Sequence, residues 1–252
     1  MKRIIAIGLL ACAFLTGCDI IPADERLLPM DEIVPMKHVL LVDFTDQDCI
    51  NCPSAAKVID GLTAKYEESL VAVSVHASSR NRPLVTPEGN EYEAHFHTNE
   101  IGHPAGLIDG VHLSVVYEGW ESYVIERFNH EASATLDLSV DYDPQTREVR
   151  INTDVNGITP DMRLLLWVVE DGVVDWQKLP NNTTDPSYQH NHLFRAAVNG
   201  VWGQAIATGE IGERENSYVL NEAWEPANTS IVGFIYNAST NEVYDVKQEY
   251  LL

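Results

Sequence analysis

His38-Val-Leu-Leu-Val-Asp-Phe44 runs through Thr45-Asp-Gln-Asp48 into Cys49-Ile-Asn-Cys-Pro53, and this stretch decides the fold of the N-terminal half. Five of the first seven residues are apolar, two of them β-branched valines, the short apolar pattern of a buried strand. Pro53 suits the first turn of a helix, where a missing N–H leaves no intrahelical bond unmade. Ala55, Ile59, Leu62 and Tyr66 follow at helical spacing and mark one buried face. Val71-Ala-Val-Ser-Val-His-Ala77 then reads as a second strand. Strand, helix and strand make a βαβ unit, whose crossover is right-handed in nearly all proteins. A C-x-x-C pair at such a helix start can close a disulfide. The first sulfur sits where free helix N–H groups favour the thiolate, the species that attacks disulfides. Cys49 is the expected nucleophile and Cys52 the resolving thiol. A structural disulfide in an oxidising compartment is a second reading. A metal site is a third, though no second C-x-x-C and no matching His pair follows.

The remaining cysteines concern the address of the chain. Met1-Lys-Arg3 is followed by an apolar run from Ile4 to Leu15 and by Thr16-Gly17-Cys18. A basic start and about a dozen apolar residues read as a secretory signal, too short for a spanning helix of about 20 residues. Leu15-Thr16-Gly17-Cys18 resembles the bacterial lipobox, which implies cleavage before Cys18 and a lipid on its thiol. Residues 1–17 are then a signal peptide, and residues 18–36, with Pro22, Pro29 and Pro35, a tether. Of four cysteines, only Cys49 and Cys52 remain for chemistry. The net charge of the 252 residues is −22, from 38 acidic and 16 basic side chains. That excludes a phosphate-binding surface, so nucleic acid is not an expected partner. The expected partners are a membrane, through the lipid at Cys18, and envelope or host proteins.

The match to the thioredoxin superfamily extends beyond the cysteines. Asp43 stands six positions before Cys49, as the buried Asp of that family stands before its attacking Cys. The resemblance implies proton transfer between Asp43 and the resolving Cys52. It also implies a cis-proline facing the pair, for which His103-Pro104 is the best candidate, with His103 and Pro104 shaping a substrate groove. The chain departs from the family in carrying Asp48 before the first Cys and Ile50-Asn51 between the two. A carboxylate at that position opposes thiolate formation. A more specific resemblance spans nearly the whole chain. The lipobox, Val42–Pro53, Val71–Ala77 and Gly102-His-Pro-Ala-Gly-Leu-Ile-Asp109 are similar to the outer-membrane-protein-28 family of lipoproteins. That resemblance implies an outer-membrane lipoprotein with a thioredoxin-like N-terminal part, a β-rich C-terminal part and, for some members, an adhesin-like role.

A helix is expected from Gly119 to Glu131, with Trp120, Val124 and Phe128 on one face. Beyond it the period changes from 3.6 to 2. Ala134 to Tyr142 and Val149 to Val155 alternate apolar with polar residues, and Asp143-Pro-Gln-Thr146 marks a turn between them. Further strands are expected at 163–169, 173–176, 193–202, 217–220, 231–236 and 243–250. The expected fold is an α/β thioredoxin-like domain, residues 37–131, followed by an all-β immunoglobulin-like sandwich, residues 132–252. Trp167, Trp176, Trp202 and Trp224 read as packing rather than a ligand platform. His190-Asn-His192 and His95-Phe-His97 lack the partners a metal needs, and the polar segment 180–189 reads as a loop open to contacts. No phosphate loop, Gly-x-Ser-x-Gly elbow or His-Glu-x-x-His is present, and no cofactor is expected. Thiol–disulfide exchange on envelope proteins and a surface-binding role with a structural disulfide both fit these residues.

Overall fold

Val39–Thr45 (β1) and Leu70–His76 (β2) are buried at all seven positions each, and strands buried on both faces occupy the middle of a covered sheet. The computed structural model describes residues 36–208 and 212–252. The signal peptide 1–17, Cys18 and all but the last residue of the tether lie outside the described residues. Between β1 and β2 runs Cys52–Tyr66 (α1). Pro87–His95 (α2) and Thr98–Ile101 (α3) follow, then Ala105–Ile108 (β3), His112–Ser114 (β4) and Trp120–Phe128 (α4). The rest is β: Thr135–Asp143 (β5), Glu148–Asn156 (β6), Met162–Glu170 (β7), Val173–Lys178 (β8), Thr184–His190 (β9), Leu193–Ala197 (β10), Gln204–Ala205 (β11), Arg214–Val219 (β12), Thr229–Asn237 (β13) and Val243–Tyr250 (β14).

One sheet crosses the expected domain boundary. Its order is β14-β13-β7-β10-β2-β1-β3-β4, with β11 paired to β7. β1 and β2 are parallel from Val39↔Leu70 to Thr45↔His76. On its other edge β2 takes β10, parallel at Leu193↔Ser74, where the Ser74 N–H donates to the His192 carbonyl at 2.6 Å. This continuity overturns the expected thioredoxin-like domain followed by an immunoglobulin-like sandwich. A β2 with no exposed face needs a partner on each edge, and the second partner comes from the C-terminal half. Val34–Leu252 accordingly form one compact unit. Within residues 132–252 two β layers do face each other, but among the described residues the larger layer is the sheet shared with β1 and β2, so they close no separate immunoglobulin-like domain. β12-β6-β5 make a three-stranded sheet, and β8-β9 a separate hairpin.

β7 shows how the layers join. Leu165, Trp167 and Val169 face a core shared with Leu40, Val42, Phe44, Val73, Tyr92 and Phe234. Leu164, Leu166 and Val168 face a second core, with Leu136, Val149, Ile151, Ile231 and Ile235, beneath the three-stranded sheet. Each such fully buried side chain is worth about 1.5–3 kcal/mol. The large sheet curls until β14 returns toward β1 and β3: the Val243 N–H donates to the Asp109 carbonyl at 2.9 Å, and Lys37 Nζ to the Val243 carbonyl at 2.7 Å. A buried ion cluster secures this return. Asp109 lies 2.7 Å from Lys37 Nζ and 2.9 Å from Arg127 Nε, and accepts the Leu40 N–H at 2.9 Å. Gly106 on β3 lies under the Trp120 indole of α4, where a Cβ would collide with the ring. The expected helix 119–131 is thus shorter by a turn and packs on β3.

Candidate functional site

The chain leaves β1 at Thr45 and turns through Asp46-Gln-Asp48 before α1. Asp46 caps this turn, its Oδ1 accepting the Asp48 N–H at 2.9 Å and its carbonyl the Cys49 N–H at 3.0 Å. Cys49 and Cys52 form a disulfide with Cα atoms 5.5 Å apart. Cys52 opens α1 and is buried, whereas Cys49 is half-exposed. The Cys52 N–H donates to Cys49 Sγ at 3.1 Å. Once the bond is reduced, that contact and the helix N-terminus both favour a thiolate on Cys49.

The Asp48 carboxylate does not face the sulfur unopposed. Lys178 Nζ lies 2.8 Å from one oxygen, and Arg80 Nη1 and Arg82 Nε lie 2.8 and 2.9 Å from the other. Lys178 first, then Arg80 and Arg82, hold its carboxyl well below the usual carboxylate range. Three cations meet one carboxylate beside Cys49, and Arg82 also lies over the Trp176 ring at 5.2 Å. The opposition to thiolate formation expected from Asp48 is therefore offset.

The β8-β9 hairpin clamps the cysteine loop. Gln177, 2% exposed, donates to the Cys49 carbonyl at 2.9 Å. Fully buried Gln47 donates to the Trp176 carbonyl at 2.8 Å, and the Lys178 N–H to the Gln47 carbonyl at 2.9 Å. The segment 180–189, expected as a loop, supplies β9, whose last residue His190 is buried.

Behind the disulfide lies a cavity of about 40 Å³ lined by Cys52, Asp43, His76, Tyr188 and His190, among others. Asp43 is 2% exposed, and burial pushes its carboxyl well above the ordinary carboxylate range. Its Oδ1 has no hydrogen-bond partner, nor do His76 Nδ1 and His190 Nε2. Burial first, then the neighbouring His190, His103 and Arg195, keeps the His76 imidazole neutral far below its usual range. Burial lowers His190 as well. The two rings meet edge to face at 5.1 Å.

The His103–Pro104 peptide is cis. Ala105 pairs with Phe44, so Pro104 enters β3 beside the end of β1, where the cysteine loop departs. His103 Nε2 lies 2.9 Å from Glu93 Oε1. Cys49, Cys52 and Asp43 are thus brought together, His103 and Pro104 lie on the adjoining strand, and Cys18 lies outside the described residues. Sequence reasoning missed His76, Gln47, Gln177 and the cations around Asp48. In the sequence His190 stands out only as half of the His190-Asn-His192 pair. Among the described residues no group of three or more His, Cys, Asp or Glu is placed to hold a metal ion, and no helix is long and apolar enough to cross a membrane. Trp167 is core, with its Nε1 donating to the Tyr92 hydroxyl at 3.0 Å.

The model of the outer membrane protein Omp28 family matches residues 90–251. The chain belongs to the Omp28 family. Membership places it in the bacterial cell envelope, at the outer membrane. No curated protein matches it. Among solved structures, HBP35 of Porphyromonas gingivalis is similar at a TM-score of 0.68 and 21% identity, over 85% of this chain and 75% of that one. A protein from Agrobacterium tumefaciens is similar at 0.55 and 14% identity, over 85% and 94%. A domain of the outer membrane lipoprotein Omp28 from Porphyromonas gingivalis matches at 0.36 and 23% identity, over 48% and 88%. The first two likenesses concern the fold.

Proposed function

We propose that this Omp28-family chain is a lipid-anchored thiol–disulfide exchange protein of the outer membrane, tethered through Cys18 and acting on envelope proteins. The observation that carries the reading is the asymmetry of the pair: Cys49 is half-exposed at a helix N-terminus, and Cys52 is buried against a cavity holding Asp43. A substrate thiolate attacks Cys49 Sγ, the Cys49–Cys52 bond breaks, and Cys52 leaves as a thiolate that takes the Asp43 proton. A second substrate thiolate then attacks the substrate sulfur of the mixed disulfide and releases Cys49. The substrate dithiol becomes a disulfide and the protein disulfide a dithiol. His103 and Pro104 line the approach to the pair. The sequence is reversible: in the other direction the Cys49 thiolate attacks a substrate disulfide and Cys52 resolves the mixed disulfide, so in cells Cys52→Ser should leave Cys49 in a mixed disulfide with envelope proteins, seen as higher bands on non-reducing gels. Absence of any such adduct, with Cys49 free to alkylation, contradicts the reading.

A second reading, a surface-binding or adhesin-like lipoprotein with a structural disulfide, draws support from the Gln47 and Gln177 clamp. It expects the Cys49→Ser, Cys52→Ser double variant to lose stability and keep partner binding.

A further inference from the structure

Three buried polar atoms without partners around one small cavity are unusual, because nine-tenths or more of buried polar groups are hydrogen-bonded. Asp43, His76 and His190 come from three strands, β1, β2 and β9, and their sequence positions suggest no connection. Yet Asp43 is the group the exchange reaction needs, and each of the two imidazoles carries one nitrogen free to exchange a proton. A polar cavity of about 40 Å³ has room for water to connect them. Toward solvent, His190 stacks edge to face on half-buried Tyr188 at 4.8 Å.

We propose that His76 and His190 form a proton relay between solvent and Asp43, so that the β8-β9 hairpin completes the redox centre as well as covering it. The inference rests on the thiol–disulfide reading above. When the Cys49–Cys52 bond breaks, Asp43 gives its proton to the Cys52 thiolate and becomes a carboxylate buried in a cavity. The relay delivers one proton from solvent through His190 and His76 and restores the neutral carboxyl. In the reverse direction, formation of the disulfide releases that proton along the same path. The reductant in the first direction is a substrate dithiol and the oxidant in the second a substrate disulfide, so both half-reactions balance. Several charged or titratable groups face the imidazoles. They are Asp43, Asp60 of α1, His103, Asp175 of β8, Tyr188, His192 and Arg195 of β10. No cation within this set forms an ion pair with Asp43 among the described residues.

The test is stopped-flow reduction of the disulfide in the whole mature chain by dithiothreitol, as a function of pH and in heavy water. His76→Gln and His190→Gln should each slow the reaction roughly tenfold or more. The loss should grow toward alkaline pH, with a larger solvent isotope effect. In an Asp43→Asn background the same substitutions should have no further effect, since groups acting in series do not add. Rates equal to the parent, or losses that multiply on top of Asp43→Asn, overturn the relay and leave thiol exchange intact. A parent chain whose native disulfide resists dithiothreitol overturns the reading beneath it. If His190→Gln does not fold, His190→Asn and the His76 variant carry the measurement.

Discussion

Two buried carboxylates stand on neighbouring strands and meet opposite treatment. Asp109, at the end of β3, is fully buried and held by Lys37, Arg127 and the Leu40 N–H. Asp43, on β1, is 2% exposed, and its Oδ1 has no partner. The first is surrounded by opposite charge and closes the sheet. The second is surrounded by a cavity and neutral imidazoles, and burial alone keeps it protonated. Removing a charge from water is costly unless it is paired. The paired site therefore contributes to the fold. The unpaired site costs stability, and a group kept with that cost is expected to have chemical work.

The comparison can be broken at either end. The largest effect is expected from Asp109→Asn, which leaves Lys37 and Arg127 buried without their shared carboxylate. A loss of about 3–5 kcal/mol should appear in denaturant unfolding, and a loss under 1 kcal/mol would mean that the cluster does not secure the curl.

Asp43→Asn should do the reverse. The folded chain holds a proton at Asp43 that the unfolded chain gives up near 3.8. Stability from this group is complete below that value and falls as pH rises toward the folded value. The variant should match the parent in acid. Near neutrality it should be more stable than the parent, with a Tm higher by about 2–4 °C for each kcal/mol gained. Equal stability at every pH would show that Asp43 is solvated after all.

Asp48→Asn sharpens the contrast at the sulfur itself. It leaves Lys178, Arg80 and Arg82 without their shared carboxylate. The pH dependence of Cys49 alkylation in the reduced chain should shift toward lower pH. An unchanged profile would show that the cations act only on the loop.

Much of this was legible in the sequence because it depends on neighbours along the chain. The apolar run of β1, Pro53 at the start of α1 and the alternation of β5 and β6 each carry their own signal. The placement of Cys49, Cys52 and Asp43 follows from that local frame. What the sequence did not reveal depends on pairing across distance. Nothing in the sequence of Leu193–Ala197 shows that it lies beside β2, so the change of period after residue 131 suggests a domain boundary that the sheet crosses. His76 ends a strand like any other, and His190 stands in a polar segment read as a loop. Their meeting depends on where the hairpin folds back. Asp48 stands in the sequence as an isolated charge beside a sulfur, because Arg80 and Arg82 lie 32 and 34 residues away and Lys178 on the hairpin.

The central claim is that the orphaned Asp43 serves a working disulfide. The reduction potential of Cys49–Cys52, from equilibration with glutathione buffers, tests it most directly. Catalytic pairs lie at about −120 to −270 mV, and a value in that range is expected. A value below about −300 mV, where structural disulfides lie, would contradict it.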